Sequence, residues 1–475
     1  MSANDQPTAM RLSHLLKVAI PLVIATGSVG IKLFFDRLML AQYDEIAIRA
    51  SMPSGILLFT LVSLLMGLVT YSQTLIAHYH GADQQEGIGR ALKAGLIIAL
   101  AGGALMLTGI GWSTPLFAAI GHEPAVQAAE VTYFNILCLG VPIALANIAF
   151  AGFWSGRSKT LMTMIVGILN ALINIALNYW LIFGGFGIAA LGIAGAAWGT
   201  VGADICSLCI YAICFSLHPL RKHLNIFQSA WLEESRRLIR FGLPAGIHRC
   251  LDLAAFTLFV QIVGRYPTTA AGANPQEAAN ITFAINALVF IPIVGVGTAV
   301  SILCGQSMGK QSSMGKKVST HEEAAAAARH INRLGLAVAL AIQLPAAALY
   351  CLAPDLALQL FSRLDDPQQQ ATLHMASEFL RYLAIFLICD GIWIVTGSAL
   401  SGVGDTKFLM WSNILLAWVG FVVPMLTMVA FGAPLAWLWW LMIGWACSGA
   451  IILAWRWRSQ QWLGHQVIAP SLKES

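Results

Sequence analysis

Apolar positions in this chain run in long blocks, and polar positions fall between the blocks. Twelve blocks, near residues 12–38, 51–78, 92–116, 130–154, 160–184, 190–215, 236–264, 278–305, 330–354, 376–402, 406–431 and 434–457, are long enough to cross a bilayer as helices. A hydrocarbon core of about 30 Å takes about 20 helical residues. The two-residue alternation of barrel strands is absent, which excludes a membrane β-barrel. The pattern predicts an all-α integral membrane protein with 12 transmembrane helices. Met1–Met10 is polar, and no small-residue cleavage site follows a short apolar run. The first span is therefore expected to be its own targeting signal.

Composition agrees with this pattern. The 475 residues are 58% hydrophobic and only 10% charged, with a mean hydropathy of +0.74, whereas soluble domains carry about 25% charged residues. The net charge of +5 matters through its placement. With the amino terminus inside, most Lys and Arg fall on inner segments, among them Arg11, Arg90, Lys93, Arg157, Lys159, Arg221, Lys222, Lys310, Lys316, Lys317, Lys407, Arg456 and Lys473. The outer segments hold Arg37, Arg49, Arg265, Arg363 and Arg381. This asymmetry places both termini in the cytoplasm. The nine cysteines lie in or beside apolar stretches and read as small packing residues rather than a disulfide framework.

The chain repeats itself. Ser155, Gly156 and Thr160 recur as Ser401, Gly402 and Thr406, and Gly67, Thr70, Leu75 and Gly81 recur as Gly295, Thr298, Leu303 and Gly309. The matches follow the second and fourth span of each half. Six spans per copy give two parallel repeats: residues 1–215 as an N-lobe with helices 1–6, 216–235 as a cytoplasmic linker, and 236–475 as a C-lobe with helices 7–12. In such duplicated folds the substrate route lies between the copies.

Charges inside spans are candidate functional sites, because each costs roughly 2.5–3.5 kcal/mol on insertion scales. Lys32 and Asp36 are four residues apart on the first span and share a face. Asn170, Asn174 and Asn178 form a stripe on the fifth span, and Thr200 and Asp204 sit four apart on the sixth. Packed together, these three spans would enclose one polar pocket. In the second half, His248, Arg249 and Asp252 cluster on the seventh span, and Asp390 lies mid-way along the tenth. Asp252 and Asp390 with one arginine suit a proton or cation site. The alternatives are inert buried pairs that hold helices together and, for Lys32, snorkelling to the outer interface. Pro21, Pro142, Pro244 and Pro292 lie inside spans and permit kinks.

Other motifs lead nowhere. Gly305–Gly309 fits G-x-S-x-G but closes a helix rather than a strand-to-helix turn. His78 and His80 have no supporting metal cluster. No zincin helix motif and no phosphate-binding P-loop occur in the sequence. The expectation is no catalytic residue, no metal, no cofactor and no nucleic acid, so active transport would have to be secondary.

The ordered set resembles the multidrug and toxic compound extrusion (MATE) family over nearly the whole chain. Pro21 with Asp36 is similar to the family's bent first helix and its N-lobe acid. Asn174, Asn178 and the run Gly195–Thr200 resemble its N-lobe polar network. Pro244 with Asp252 resembles the acid of helix seven, and Asp390 followed by Gly402–Thr406 resembles the acid of helix ten and the loop after it. The resemblance implies a V-shaped transporter in the bacterial inner membrane, monomeric in the bilayer. It would export amphipathic, cationic organic compounds in exchange for protons or sodium. Asp36, Asn174, Asn178, Thr200, Asp252 and Asp390 would carry ion coupling and substrate binding. Lys32, Asp204, His248 and Arg249 would tune them, and Pro21 and Pro244 would act as hinges. Asn178 stands where many members have aspartate, and Lys32, Asp204 and Arg249 are additions. A flippase for a lipid-linked precursor, of related fold, is the alternative; it would need a cationic cavity for pyrophosphate.

Overall fold

The computed structural model describes residues 12–185, 187–218, 221, 231–270, 272–313, 318–359, 367–465 and 467–468. Arg11, Lys222, Lys316, Lys317, Arg363 and Lys473, the polar amino terminus and most of the expected linker 216–235 lie outside the described residues.

Among the described residues, 12 helices are long and apolar enough to cross a membrane: α1 (Leu12–Tyr43), α2 (Glu45–Gly81), α3 (Gln85–Ile120), α4 (Pro124–Gly156), α5 (Thr160–Phe183), α6 (Ile193–Leu217), α7 (Trp231–Val263), α8 (Pro275–Gln311), α9 (Glu322–Leu352), α10 (Gln369–Val403), α11 (Thr406–Ala430) and α12 (Leu435–Arg458). Most of them overrun their apolar blocks. Hydropathy marks only the stretch that hydrocarbon would cover, whereas a helix satisfies its own backbone and continues into polar ends. Thus α2 starts ahead of its apolar block, where the Asp44 side chain accepts a hydrogen bond from the Ala47 amide at 3.2 Å and Glu45 occupies the first turn. α3 tightens into a 3-10 turn at Thr108–Trp112 and ends on Gly121, whose φ of 82° suits a glycine cap.

Contacts gather the chain into two compact units. The first comprises Ile20–Ile247, Gly305–Thr320 and Val467–Ser475. Its core is aromatic and aliphatic, with Tyr71, Leu75, Phe117, Phe134 and Phe153 buried. Small residues let its helices approach closely. A Cβ on Gly81 would overlap the carbonyl oxygen of Gln306, and one on Gly309 would overlap that of His78. The contact is reciprocal, because His78 and Gly81 stand 228 residues before Gln306 and Gly309, the offset of the internal repeat. Beside it, the Tyr79 hydroxyl donates to Glu234 Oε2 at 2.9 Å and accepts from Arg237 Nη1 at 2.6 Å, fixing the start of α7 on the end of α2.

The second unit comprises Met1–Ala19, His248–Cys304 and His321–Gln466. Its centre is Trp439, fully buried, with its ring stacked on Phe283 at 5.7 Å and Tyr382 at 6.1 Å. The repeat shows here too. Gly402 packs on the Ser301 carbonyl as Gly156 packs on that of Gln73 in the first unit.

Buried Asp405, in the turn before α11, closes this unit's end. It accepts from Arg456 Nε at 2.7 Å and meets His465 Nε2 at 3.1 Å. Burial alone would raise its pKa, but the hydrogen bonds from His465 and Arg456 outweigh it and hold the carboxyl below its ordinary value of 3.8. The stabilisation is therefore complete above that value and is lost as pH falls through the lower folded one. Asp405→Asn is expected to cost about 3 kcal/mol near neutral pH, as when a buried pair loses one partner. Melting curves of both proteins across acid pH should show the gap closing only in strong acid.

Candidate functional site

The fifth-span stripe repeats every four residues, so its asparagines share one face of α5. That face meets α1 and α6. Asp36 is 6% exposed, and Asn174 and Asn178 are fully buried. Asn178 Nδ2 donates to Asp36 Oδ1 and lies 3.5 Å from Asn174 Oδ1. Asn174 Nδ2 in turn donates to Thr200 Oγ1 at 3.2 Å. Asp36 is thus held by a neutral amide, and among the described residues it forms no ion pair. The close approach of α6 depends on Gly195 and Gly199, a small-xxx-small pair. A Cβ on Gly199 would overlap the Asn178 amide oxygen, and one on Gly195 the Leu181 carbonyl. Gly199→Ala is therefore expected to push Asn178 off Asp36 and to cost about 1–3 kcal/mol, the range of overpacking, while the helices still form. Thermal unfolding beside helical content by circular dichroism checks this.

One turn along the same three helices lies a second polar layer. Lys32 Nζ is 3.9 Å from Asp204 Oδ1 and 3.5 Å from Asn170 Oδ1. Asn170 Nδ2 donates to Asp204 Oδ1 and to Ser207 Oγ, both at 2.9 Å, and Asn147 Nδ2 donates to the Asp204 carbonyl at 2.9 Å. Lys32 therefore turns inward to Asp204 and does not snorkel; its side chain is 13% exposed.

The second unit brings Asp252 and Asp390 into electrostatic reach of each other. Arg249 is exposed, and among the described residues no ion pair joins it to Asp252; the two interact only at longer range. Three residues apart gives a shared helical face but does not oblige contact. The His248 carbonyl accepts from Asn413 Nδ2 at 2.8 Å, and its ring Nδ1 is buried without a hydrogen-bond partner among the described residues. Gln343 on α9 braces α10 beside the acid: its amide donates to the Leu387 carbonyl at 2.7 Å, and it packs against Gly391.

A family model described as MatE matches residues 21–180 and 244–426, the greater part of the chain. The chain belongs to the MATE family. Similar proteins include the probable multidrug resistance protein NorM of Pseudomonas aeruginosa, 27% identical over 97% of this chain and 92% of that protein. Another is the multidrug resistance protein NorM of Burkholderia vietnamiensis, 26% identical over 93% of this chain and 92% of that one. Among solved structures, a multidrug resistance MATE family transporter of the MOP superfamily in an outward-facing conformation superposes with a TM-score of 0.81, at 19% identity, over 96% of this chain and 97% of that chain. A MOP superfamily transporter from Pyrococcus furiosus superposes at 0.82 with 20% identity, over 96% and 97% of the two chains. These likenesses show the fold.

This MATE transporter thus unites Asp36, Asn174, Asn178 and Thr200 in one network, places Lys32 with Asp204, and leaves Arg249 apart from Asp252. Sequence reasoning took in Gly199 within the run Gly195–Thr200 but missed Ser207, Asn147, Gln343 and Asn413 as parts of these sites. The spacing of Gly195 and Gly199 was a usable signal. The other four are single polar residues in apolar spans, with no pattern to separate them from ordinary helix-joining groups.

Proposed function

We propose that this protein is a secondary antiporter that exports amphipathic, cationic organic compounds in exchange for protons, with sodium the second choice. One observation carries the reading: Asp36 is buried, bonded among the described residues only to a neutral amide, and backed by Asn174 and Thr200. A buried carboxylate that forms no ion pair among the described residues suits a transferable cation. A proton needs no coordination shell. The ammonium of Lys32 one turn away opposes a second metal cation by Coulomb repulsion at short range. Asp252 and Asp390 form the corresponding ion or substrate site of the other half. No cofactor takes part.

The expected cycle is competition. Cation entry neutralises Asp36, relaxes its hold on Asn178, and releases the exported compound. Pro21 and Pro244 serve as hinges; the division between the compact units falls beside Pro21 on α1 and shortly after Pro244 on α7, which supports that role. The protein would work as a monomer in the bacterial inner membrane, with both termini cytoplasmic and residues 1–215 and 236–475 as its two lobes. A flippase for a pyrophosphate-linked lipid is disfavoured, because Asp204 offsets the charge of Lys32.

The test is made in proteoliposomes. A pH gradient and then a sodium gradient are imposed while a fluorescent organic cation is followed. Movement under the pH gradient is expected, and movement under neither, with folded protein, sinks the antiporter reading.

A further inference from the structure

Three helices each step by four residues from one polar layer to the next: Asp36 to Lys32, Asn174 to Asn170, and Thr200 to Asp204. The layers differ in access. In the Asp36 layer Asp36, Asn174 and Asn178 are sealed and Thr200 is half-buried, whereas the side chains of Lys32 and Asp204 keep 13% and 19% of their surface exposed. They also differ in charge, one holding a lone acid and the other an acid beside a base.

Neither charge of the open layer is saturated. The two contacts of Lys32 Nζ, at 3.5 and 3.9 Å, are longer than the 2.7–3.2 Å of an ordinary N–H···O bond, so among the described residues an ammonium with three protons lacks a close acceptor. The Oδ1 atom of Asp204 is bound by Asn170, while its Oδ2 accepts no hydrogen bond among the described residues. The Asp204 carboxylate is held by Asn170, which also donates to Ser207, while Asn147 donates to the Asp204 backbone carbonyl. A lone acid would attract any organic cation. Adding an ammonium 3.9 Å away repels a simple cation and offers a second bond to a molecule that brings its own anion.

We propose that Lys32 and Asp204 form a substrate subsite for an amphipathic zwitterion, Lys32 taking a carboxylate and Asp204 an ammonium of the same molecule. This deepens, and rests on, the export reading above: the exported cation also carries an acid group. The sealed layer handles the coupling ion, and the open layer reads the head group of the cargo.

The test is equilibrium binding to purified protein without any gradient. The probes are Nε-dansyl-lysine, which has adjacent ammonium and carboxylate groups, its methyl ester, and dansylcadaverine, which lacks the carboxylate. Wild-type protein is expected to bind the zwitterion roughly tenfold more tightly than either cation, the discrimination of one charge-assisted contact. Lys32→Gln should bring that ratio to about one, by weakening the zwitterion and by lifting the repulsion on the two cations; Lys32→Arg should keep it, and Asp204→Asn should weaken all three probes. A wild-type ratio of one or less overturns the proposal, and so does a preference that survives in folded Lys32→Gln. If Lys32→Gln does not fold, the wild-type ratio and Asp204→Asn decide. Lost preference with gradient-driven export intact removes the subsite alone. Intact preference without gradient-driven export removes antiport and leaves the subsite.

Discussion

Asp36→Asn is expected to lower gradient-driven export by roughly 100-fold, the upper range of a coupling free energy between two sites, while leaving the fold intact. Asparagine matches aspartate in size and still meets the Asn178 amide, so the packing of α1 on α5 has no reason to change. What is lost is the one property the pocket is arranged around, a group that gains and loses a positive charge. Asn174 and Thr200 cannot substitute, because neither titrates. The check compares export by the variant and the wild type in proteoliposomes under a pH gradient, with equilibrium binding of a fluorescent organic cation measured alongside. Binding should weaken, because a neutral side chain at position 36 copies the cation-loaded state that releases the compound, and gradient dependence should vanish. A folded variant that exports at the wild-type rate would remove Asp36 from the coupling path and shift attention to Asp390 and Asp252.

The second large effect is on stability. Gly81 and Gly309 face the carbonyl oxygens of Gln306 and His78 so closely that a Cβ has no room. Both obstacles are backbone atoms of helices, which cannot rotate aside as a side chain would. Gly81→Ala or Gly309→Ala is therefore expected to destabilise by about 3 kcal/mol, the upper part of the overpacking range. The nearby bonds joining Tyr79 to Glu234 and Arg237 should loosen with it, because they hold α7 to the same end of α2 that packs on α8. Thermal unfolding in detergent, with Gly55→Ala as a control where a Cβ meets nothing within 4 Å, measures the difference. Equal melting temperatures for the three variants would show that the helices can part without cost.

Much of this architecture was legible in the chain. Blocks of about 20 apolar residues leave a backbone no solution in a bilayer except helices, so the number and order of the spans followed from hydropathy alone. The repeat was legible because close helix contacts demand glycine, and the same glycines recur at a fixed offset. Asp36 and the asparagine stripe were legible because intramembrane polar groups are rare enough to stand out.

Tertiary structure decided the pairing. From spacing, Lys32 could equally have met Asp36, met Asp204 or reached the interface; only the packing of α1 against α5 and α6 turned it to Asp204 and Asn170. Arg249 and Asp252 share a helix face by periodicity, yet among the described residues no ion pair joins them. Periodicity states which side chains can point the same way, whereas a contact depends on what the neighbouring helix brings to that face. For the same reason Gln343 and Asn413 carried no signal: each acquires its role from a carbonyl on a helix far away in sequence.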